Sequence, residues 1–151
     1  METIRPAKPA DFSRLAEIEI FNYRLNFYPI FRSDAFYFDE LQVPNVISQY
    51  ESDPLALYEV FVCDDGVVKG FIRISGSEIK KLFVEPVLQG QGIGEALLWF
   101  AVEVMGCNWL WALEKNERAI RFYRRHGFVP TGEKEREEDT EEYLIRMEKK
   151  R

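Results

Sequence analysis

Apolar and polar positions change their rhythm several times along the chain, and each change marks an element. Residues 2–6 read as a short strand stopped by Pro6 and Pro9, after which Asp11 is placed to cap a helix. Leu15, Ile18, Phe21 and Leu25 recur there at three-to-four spacing, the rhythm of a helix with one buried face. The stretch from Tyr28 to Pro44 is aromatic and turn-rich, with broken helical character, and a second helix covers about 45–51 before Asp53-Pro54 ends it. Leu57–Cys63 and Val67–Ile74 are β-branched and aromatic runs joined by Asp64-Asp65-Gly66, a hairpin signal. A strand from Glu78 to Val84 follows the Ser75-Gly76-Ser77 turn and stops at Pro86.

From Gly92 to Met105, Ile93, Leu97, Phe100, Ala101 and Val104 mark one face of a helix. Asn108–Leu113 is a strand and Asn116–Arg125 a helix with Gly127 as the residue after its cap. Phe128–Thr131 and Tyr143–Met147 close the pattern as strands. Strands separated by single helices, with hairpins on both sides, give an α/β or α+β protein with a mixed sheet. No repeat or linker divides residues 1–151, so one domain is expected.

Composition narrows the chemistry. Hydrophobic residues make up 46% and charged residues 30%, a balance that supports a packed core. No apolar run approaches the roughly 18 residues of a membrane span, and the N-terminus lacks a signal-peptide layout, so cytoplasmic residence is expected. Cys63 and Cys107 have no metal or redox spacing and read as buried thiols. His126, the one histidine, reads as a helix C-terminal residue rather than a ligand or base. No metal is expected. The net charge of −6 argues against nucleic acid, and the acidic run Glu133–Glu142 reads as a solvated loop able to attract cationic amines.

The informative stretch is Ile79–Ala96. A strand leads into Gln89-Gly90-Gln91-Gly92-Ile93-Gly94, and the last glycines open a helix. The first amides of a helix have no internal partners and sit at the positive end of its dipole. Glycines remove the Cβ atoms that would hold a ligand away from them, which makes an anion site of backbone. A Walker loop requires Gly-Lys-Ser/Thr, which is absent, and a dinucleotide fingerprint requires a different glycine rhythm.

Leu82-Phe83-Val84-Glu85-Pro86 followed by Gln89-x-x-Gly92-x-Gly94 is similar to the signature of the GNAT superfamily of N-acetyltransferases, whose Q/R-x-x-G-x-G/A turn binds the pyrophosphate of coenzyme A. A second match, Asn116-x-x-Ala119-x-x-Phe122-Tyr123-x-x-x-Gly127-Phe128, resembles the family's later motif. The resemblance implies a mixed central sheet of about six to seven strands, splayed between the fourth and fifth, with about four helices. It implies acetyl-CoA as cosubstrate and an amine as acceptor, with homodimerisation left open. Backbone groups of Leu82, Phe83 and Val84 would pair with the pantetheine arm, and Gly90, Gln91, Gly92, Ile93, Gly94 and Glu95 would supply the phosphate-binding amides. Glu95 departs from the basic or small residue usual in the family. Asn116 would bind the arm near the thioester, and Tyr123 would protonate the leaving thiolate.

The attacking amine must be neutral, and a lysine-type amine at about 10.4 needs help that an α-amine at about 7.7–8.0 does not. Glu78 is the candidate base: strand parity places it on the face of Leu82 and Val84, and the histone acetyltransferase branch is similar at this position. Glu85 and Glu114 are weaker candidates. Trp111 stands where a glutamate acts as base in the related branch that acetylates ribosomal proteins. The acceptor would enter between Arg24–Phe38, rich in Tyr28, Phe31, Phe36, Tyr37 and Phe38, and Glu133–Thr140. A non-catalytic acyl-CoA-binding module is the alternative function.

Overall fold

The alternating runs form strands β1 (Thr3–Pro6), β2 (Val60–Asp64), β3 (Val68–Ser75), β4 (Glu78–Val84), β5 (Trp109–Leu113), β6 (Phe128–Arg136) and β7 (Tyr143–Lys149) in the computed structural model, which describes residues 3–150. The helices are α1 (Phe12–Asn22), α2 (Tyr28–Phe31), α3 (Val43–Ser52), α4 (Ala56–Glu59), α5 (Ile93–Trp99) and α6 (Glu117–Arg125). A wide turn at Tyr23–Phe27 carries α1 into α2, and a second, Phe100–Val104, prolongs α5. The four longer elements, α1, α3, α5 with its extension and α6, are the helices expected from periodicity; α2 and α4 are single turns.

One sheet holds the strands in the order β1-β2-β3-β4-β5-β7-β6. Every neighbouring pair is antiparallel except β4 and β5, which run parallel. That parallel pairing is confined to Glu78↔Trp109 and Ile79↔Leu110. Beyond it the two strands part, and the sheet opens as a fork. The splay expected between the fourth and fifth strands is therefore present.

Two cores lie on opposite faces of the sheet. Leu15, Ala16, Ile18, Val46, Tyr50, Val60, Val62 and Phe71 join α1 and α3 to one face. Ile72, Ile79, Ile93, Leu97, Leu110, Phe128 and Met147 join α5 to the other, where Phe122 and Tyr123 of α6 also pack. Cys63 and Cys107 are both buried, as expected of apolar neighbours.

Several expectations need correction. Residue 2 of the first strand lies outside the described residues. Phe21 and Leu25 are exposed. The buried stripe of α1 instead includes Glu19 and Asn22, which have partners that a hydrophobic pattern does not register. Val104 is likewise exposed, and Leu98 is buried in its place. Asp11 precedes α1 but gives its first turn no side-chain hydrogen bond; its carboxylate accepts from the Lys8 amide at 2.8 Å and pairs with Arg5. Leu57–Glu59 are helical rather than extended, because the Asp53 carboxylate accepts from the Leu55 amide and starts a turn there. The β6 strand runs on to Arg136, so the first four residues of the acidic run Glu133–Glu142 are sheet. Its residues 134–136 pair with Tyr143–Ile145 of β7, a hydrogen-bonding partner that outweighs their polarity.

Close approach fixes the angle of α5 across the sheet. A Cβ on Gly70 of β3 would meet the Phe83 carbonyl oxygen at 2.9 Å, Ile93 Cγ2 at 3.2 Å and Leu97 Cδ1 at 3.3 Å. The backbone oxygen cannot give way, so Gly70→Ala should cost about 1–3 kcal/mol by overpacking. Thermal unfolding should show a midpoint lowered by about 2–4 °C per kcal/mol; an unchanged midpoint would mean that α5 is free to shift outward.

Candidate active site

The fork between β4 and β5 opens onto two clefts. The first, about 370 Å³, has one wall made of Leu82, Phe83 and Val84 with the turn Gln89, Gly90, Gly92, Ile93, Gly94 and Glu95. Its other wall is Asn116 and the inner side of α6, including Tyr123. Thus residues from both sequence motifs meet here. Gln91 is the one predicted member of the turn that does not line the cleft.

The turn is held by geometry that glycine alone tolerates. Gly90 and Gly92 have φ of 82° and 84°, in the left-handed region, and nothing stands within 4 Å of the Cβ positions. Gly92 caps α5, so the first free amides of that helix open toward the cleft. An open cradle of amides at the start of a helix fits an anion such as a diphosphate. Gln89 has a mechanical part: its side-chain amide donates to Asn22 Oδ1 at 3.2 Å and to the Val84 carbonyl at 3.3 Å.

Asn22 was not legible as a site residue. It is 2% exposed, and its amide donates to the carbonyls of Ile18 at 2.8 Å and Val84 at 2.9 Å. Val84 lies on the part of β4 that has lost β5 as a neighbour, so these side chains pair a carbonyl that the fork would otherwise leave open. That carbonyl is therefore already engaged, which bears on the expectation that Val84 pairs with a cofactor.

Asn116 caps α6, its side-chain oxygen accepting from the Ala119 amide at 3.3 Å. Tyr123 packs edge-on against Phe122 and Phe128. Burial pushes its hydroxyl well above the ordinary value, so it stays protonated at neutral pH. Glu95 approaches the only histidine, with Oε1 3.9 Å from His126 Nε2. As expected, His126 ends α6, followed by Gly127 at a φ of 89°.

Glu78 is placed differently from its predicted face. Across β3 and β4, Arg73 is opposite Lys81 but Ile74 is opposite Ile79, so Lys80 is an extra, bulged residue. The bulge breaks simple alternation. Ile79, Leu82 and Val84 pack on the α5 face, whereas Glu78 falls on the face of Phe71 and Phe83. Glu78 also pairs with Trp109, below the point where the strands part, and lines neither cleft.

The second cleft, about 1000 Å³, lies on the α1 face. Tyr23, Phe27, Phe31, Phe36 and Tyr37 form one wall, Lys80, Lys81, Phe83 and Trp111 the floor, and Glu137–Glu142 the rim. The aromatic segment and the acidic turn thus come together as the sequence suggested. Phe27 and Phe83 line both clefts, so the two adjoin at the fork. Lys81 is held from behind: its Nζ lies 2.6 Å from Glu19 Oε1, which also accepts from the Tyr50 hydroxyl at 3.0 Å. Among the described residues, no group of His, Cys, Asp or Glu side chains gathers that could hold a metal ion, and no helix is long and apolar enough to cross a membrane.

Comparison with known proteins agrees with this layout. Residues 56–130 match the family described as acetyltransferase (GNAT) domain. A peptidyl-lysine N-acetyltransferase, YjaB of Salmonella typhimurium, is 34% identical over 82 residues, covering 54% of this chain and 57% of that protein. The chain thus spans little more than half the length of that curated relative. The solution structure of apo YjaB from Escherichia coli superposes with a TM-score of 0.78 at 23% identity, over 98% of this chain and 97% of that one. The PaiA N-acetyltransferase of Thermoplasma acidophilum, solved with coenzyme A, gives a TM-score of 0.70 at 20% identity over 100% and 99%. These two show likeness of fold. The chain belongs to the GNAT acetyltransferase superfamily.

The setting of Glu78 makes a prediction about pH. Burial raises its carboxyl above the ordinary value of 4.5, partly offset by Lys80 and Arg146. The folded state then binds this proton more readily than the unfolded chain, so the contribution is full below about 4.5 and is lost as pH rises through the folded value. Relative to Glu78→Gln, the parent should therefore gain stability as pH falls from 7 toward 4.5. Urea midpoints of both proteins across that range test it; a pH-independent difference would mean that the carboxyl is as solvated as in the unfolded chain.

Proposed function

We propose that the protein is an acetyl-CoA-dependent N-acetyltransferase in which the acceptor amine attacks the thioester directly. What carries the reading is the junction of the two clefts at Phe27 and Phe83, an anion cradle on one side and an aromatic, acid-rimmed recess on the other. A module that only sensed acyl-CoA would need the first cleft alone. Acetyl-CoA supplies an activated acetyl thioester. The turn at Gly90–Gly94 holds its diphosphate by backbone amides, and Asn116 holds its arm from the α6 side.

Tyr123 is the proposed proton donor to the leaving thiolate. Its raised value makes it a weaker acid than an exposed tyrosine. The same desolvation makes a thiolate in the cleft a stronger base, which offsets the weaker acidity of the donor in the proton transfer. The acceptor proposed is a primary amine of a small molecule or peptide. Aromatic walls suit its methylene stem and the carboxylate rim its positive charge before reaction. A lysine side chain, which the name of the Salmonella relative specifies for that protein, is one amine of this kind. Glu78 lies below the fork, so the reading does not require it as the base.

Two substitutions test the assignment at separate steps. Gly92→Asp puts a side chain and a negative charge where the diphosphate would sit, and should reduce coenzyme A binding at least tenfold by titration calorimetry, a change of about 1.4 kcal/mol. A folded variant that binds as tightly as the parent would refute the cradle.

Tyr123→Phe keeps the ring and removes the proton. Release of free thiol from acetyl-CoA, measured with a panel of primary amines, should slow by about 10²–10⁴-fold with acetyl-CoA affinity nearly unchanged. Parent-like turnover would leave protonation of the thiolate to water.

A further inference from the structure

The glycine turn accounts for one wall of the cofactor cleft; the other wall has a charge that the turn does not explain. Arg118, Arg121 and Arg125 of α6 all line the cleft. Spacings of three and four residues stack them along one stripe of the helix. All three are exposed, and none has an ion-pair partner among the described residues. Arg125 alone has a side-chain partner, lying over the Phe122 ring at 5.8 Å. Elsewhere Arg5, Arg14, Arg73 and Arg146 each have a carboxylate. Of the charged residues lining the cleft, three guanidiniums thus face one carboxylate, Glu95. The cleft is locally basic in a chain with a net charge of −6.

Such an arrangement exceeds what a diphosphate held by backbone amides requires. Coenzyme A carries a further phosphate, the ribose 3′-monoester, which holds nearly two negative charges at neutral pH. A terminal monoester presents three oxygens, the geometry that guanidinium forks bind in pairs. The geometry points to Arg118, Arg121 and Arg125 as a second anion subsite that takes the ribose 3′-phosphate of coenzyme A. The inference rests on the reading of this cleft as a coenzyme A site. It also gives Glu95 a tolerable setting: the carboxylate that departs from the family pattern is outnumbered by cations on the opposite wall and leans toward His126.

The subsite is tested by binding alone, without an acceptor. Titration calorimetry at about 0.1 M salt compares coenzyme A with 3′-dephospho-coenzyme A on the parent and on charge-removing variants. The parent should bind coenzyme A about tenfold tighter or more, the scale of one or two charge-assisted hydrogen bonds. Arg121→Gln should weaken coenzyme A by roughly three- to tenfold and leave the dephospho form within about twofold. The triple variant R118Q/R121Q/R125Q should abolish the difference, and raising the salt should narrow it in the parent because the contacts are exposed. Since the three side chains are on the surface, circular dichroism should show the variants folded. Equal affinity of the parent for the two ligands, or variants that weaken both alike, would overturn the subsite while leaving the cofactor reading intact. Failure of the parent to bind either ligand would overturn both.

Discussion

The structure turns on the divergence of β4 from β5. Two residue pairs hold the strands together, at Glu78 with Trp109 and Ile79 with Leu110, and then the hydrogen-bond ladder stops. An interrupted ladder inside a protein leaves backbone donors and acceptors facing each other across a gap, and each one left unpaired costs about 1–3 kcal/mol. The chain meets that cost with particular side chains. Asn22, from a helix on one face of the sheet, and Gln89, from the turn after β4, both donate to the carbonyl of Val84. Each also contacts the other, so the end of α1, the edge of β4 and the glycine turn form one connected unit. The remaining opening is the floor on which both clefts are built.

A single bulged residue decides what each cleft receives. With Lys80 inserted between the paired positions, Leu82 and Val84 face α5 while Lys81 and Phe83 face α1. Lys81 is then close enough for a partly buried ion pair with Glu19, which Tyr50 completes through its hydroxyl. A pair of this kind is weak grounds for stability, because desolvation offsets much of the attraction. Its geometric effect is definite: it ties α1 and α3 to the strand that both clefts share. Arg73, opposite Lys81 on β3, makes a similar tie to Asp53 and Glu59 at the turn entering β2.

Charge is sorted between the clefts rather than spread over the surface. Guanidiniums of α6 line the first cleft, and carboxylates of the β6–β7 turn rim the second. An overall excess of acid therefore describes neither site. Under the proposed function, the separation suits a polyanionic donor in one cleft and a cationic acceptor in the other, each drawn by a local field that falls off over about 10 Å in ordinary salt.

The sequence by itself determined the elements whose rhythm is set by local chemistry. Glycines that need a left-handed backbone announced the turn at Gly90–Gly92, Asn116 announced the start of α6, and Gly127 its end. Spacing within each motif was enough to place Asn116 and Tyr123 on one helix and the glycines in one turn; the pairing of β4 with β5 brings the two motifs to one cleft. What the tertiary structure decided is wherever a distant partner outweighs a local preference. Glu19 and Asn22 are buried only because Lys81, Tyr50 and Val84 arrive from elsewhere in the chain to satisfy them. Residues 134–136 are sheet because β7 offers them a ladder. The face of Glu78 turned on a bulge that alternation along one strand cannot reveal, since the mismatch exists only between β3 and β4. The stripe of arginines was present in the helix from the start, but only packing showed that it borders the same cleft as the glycine turn.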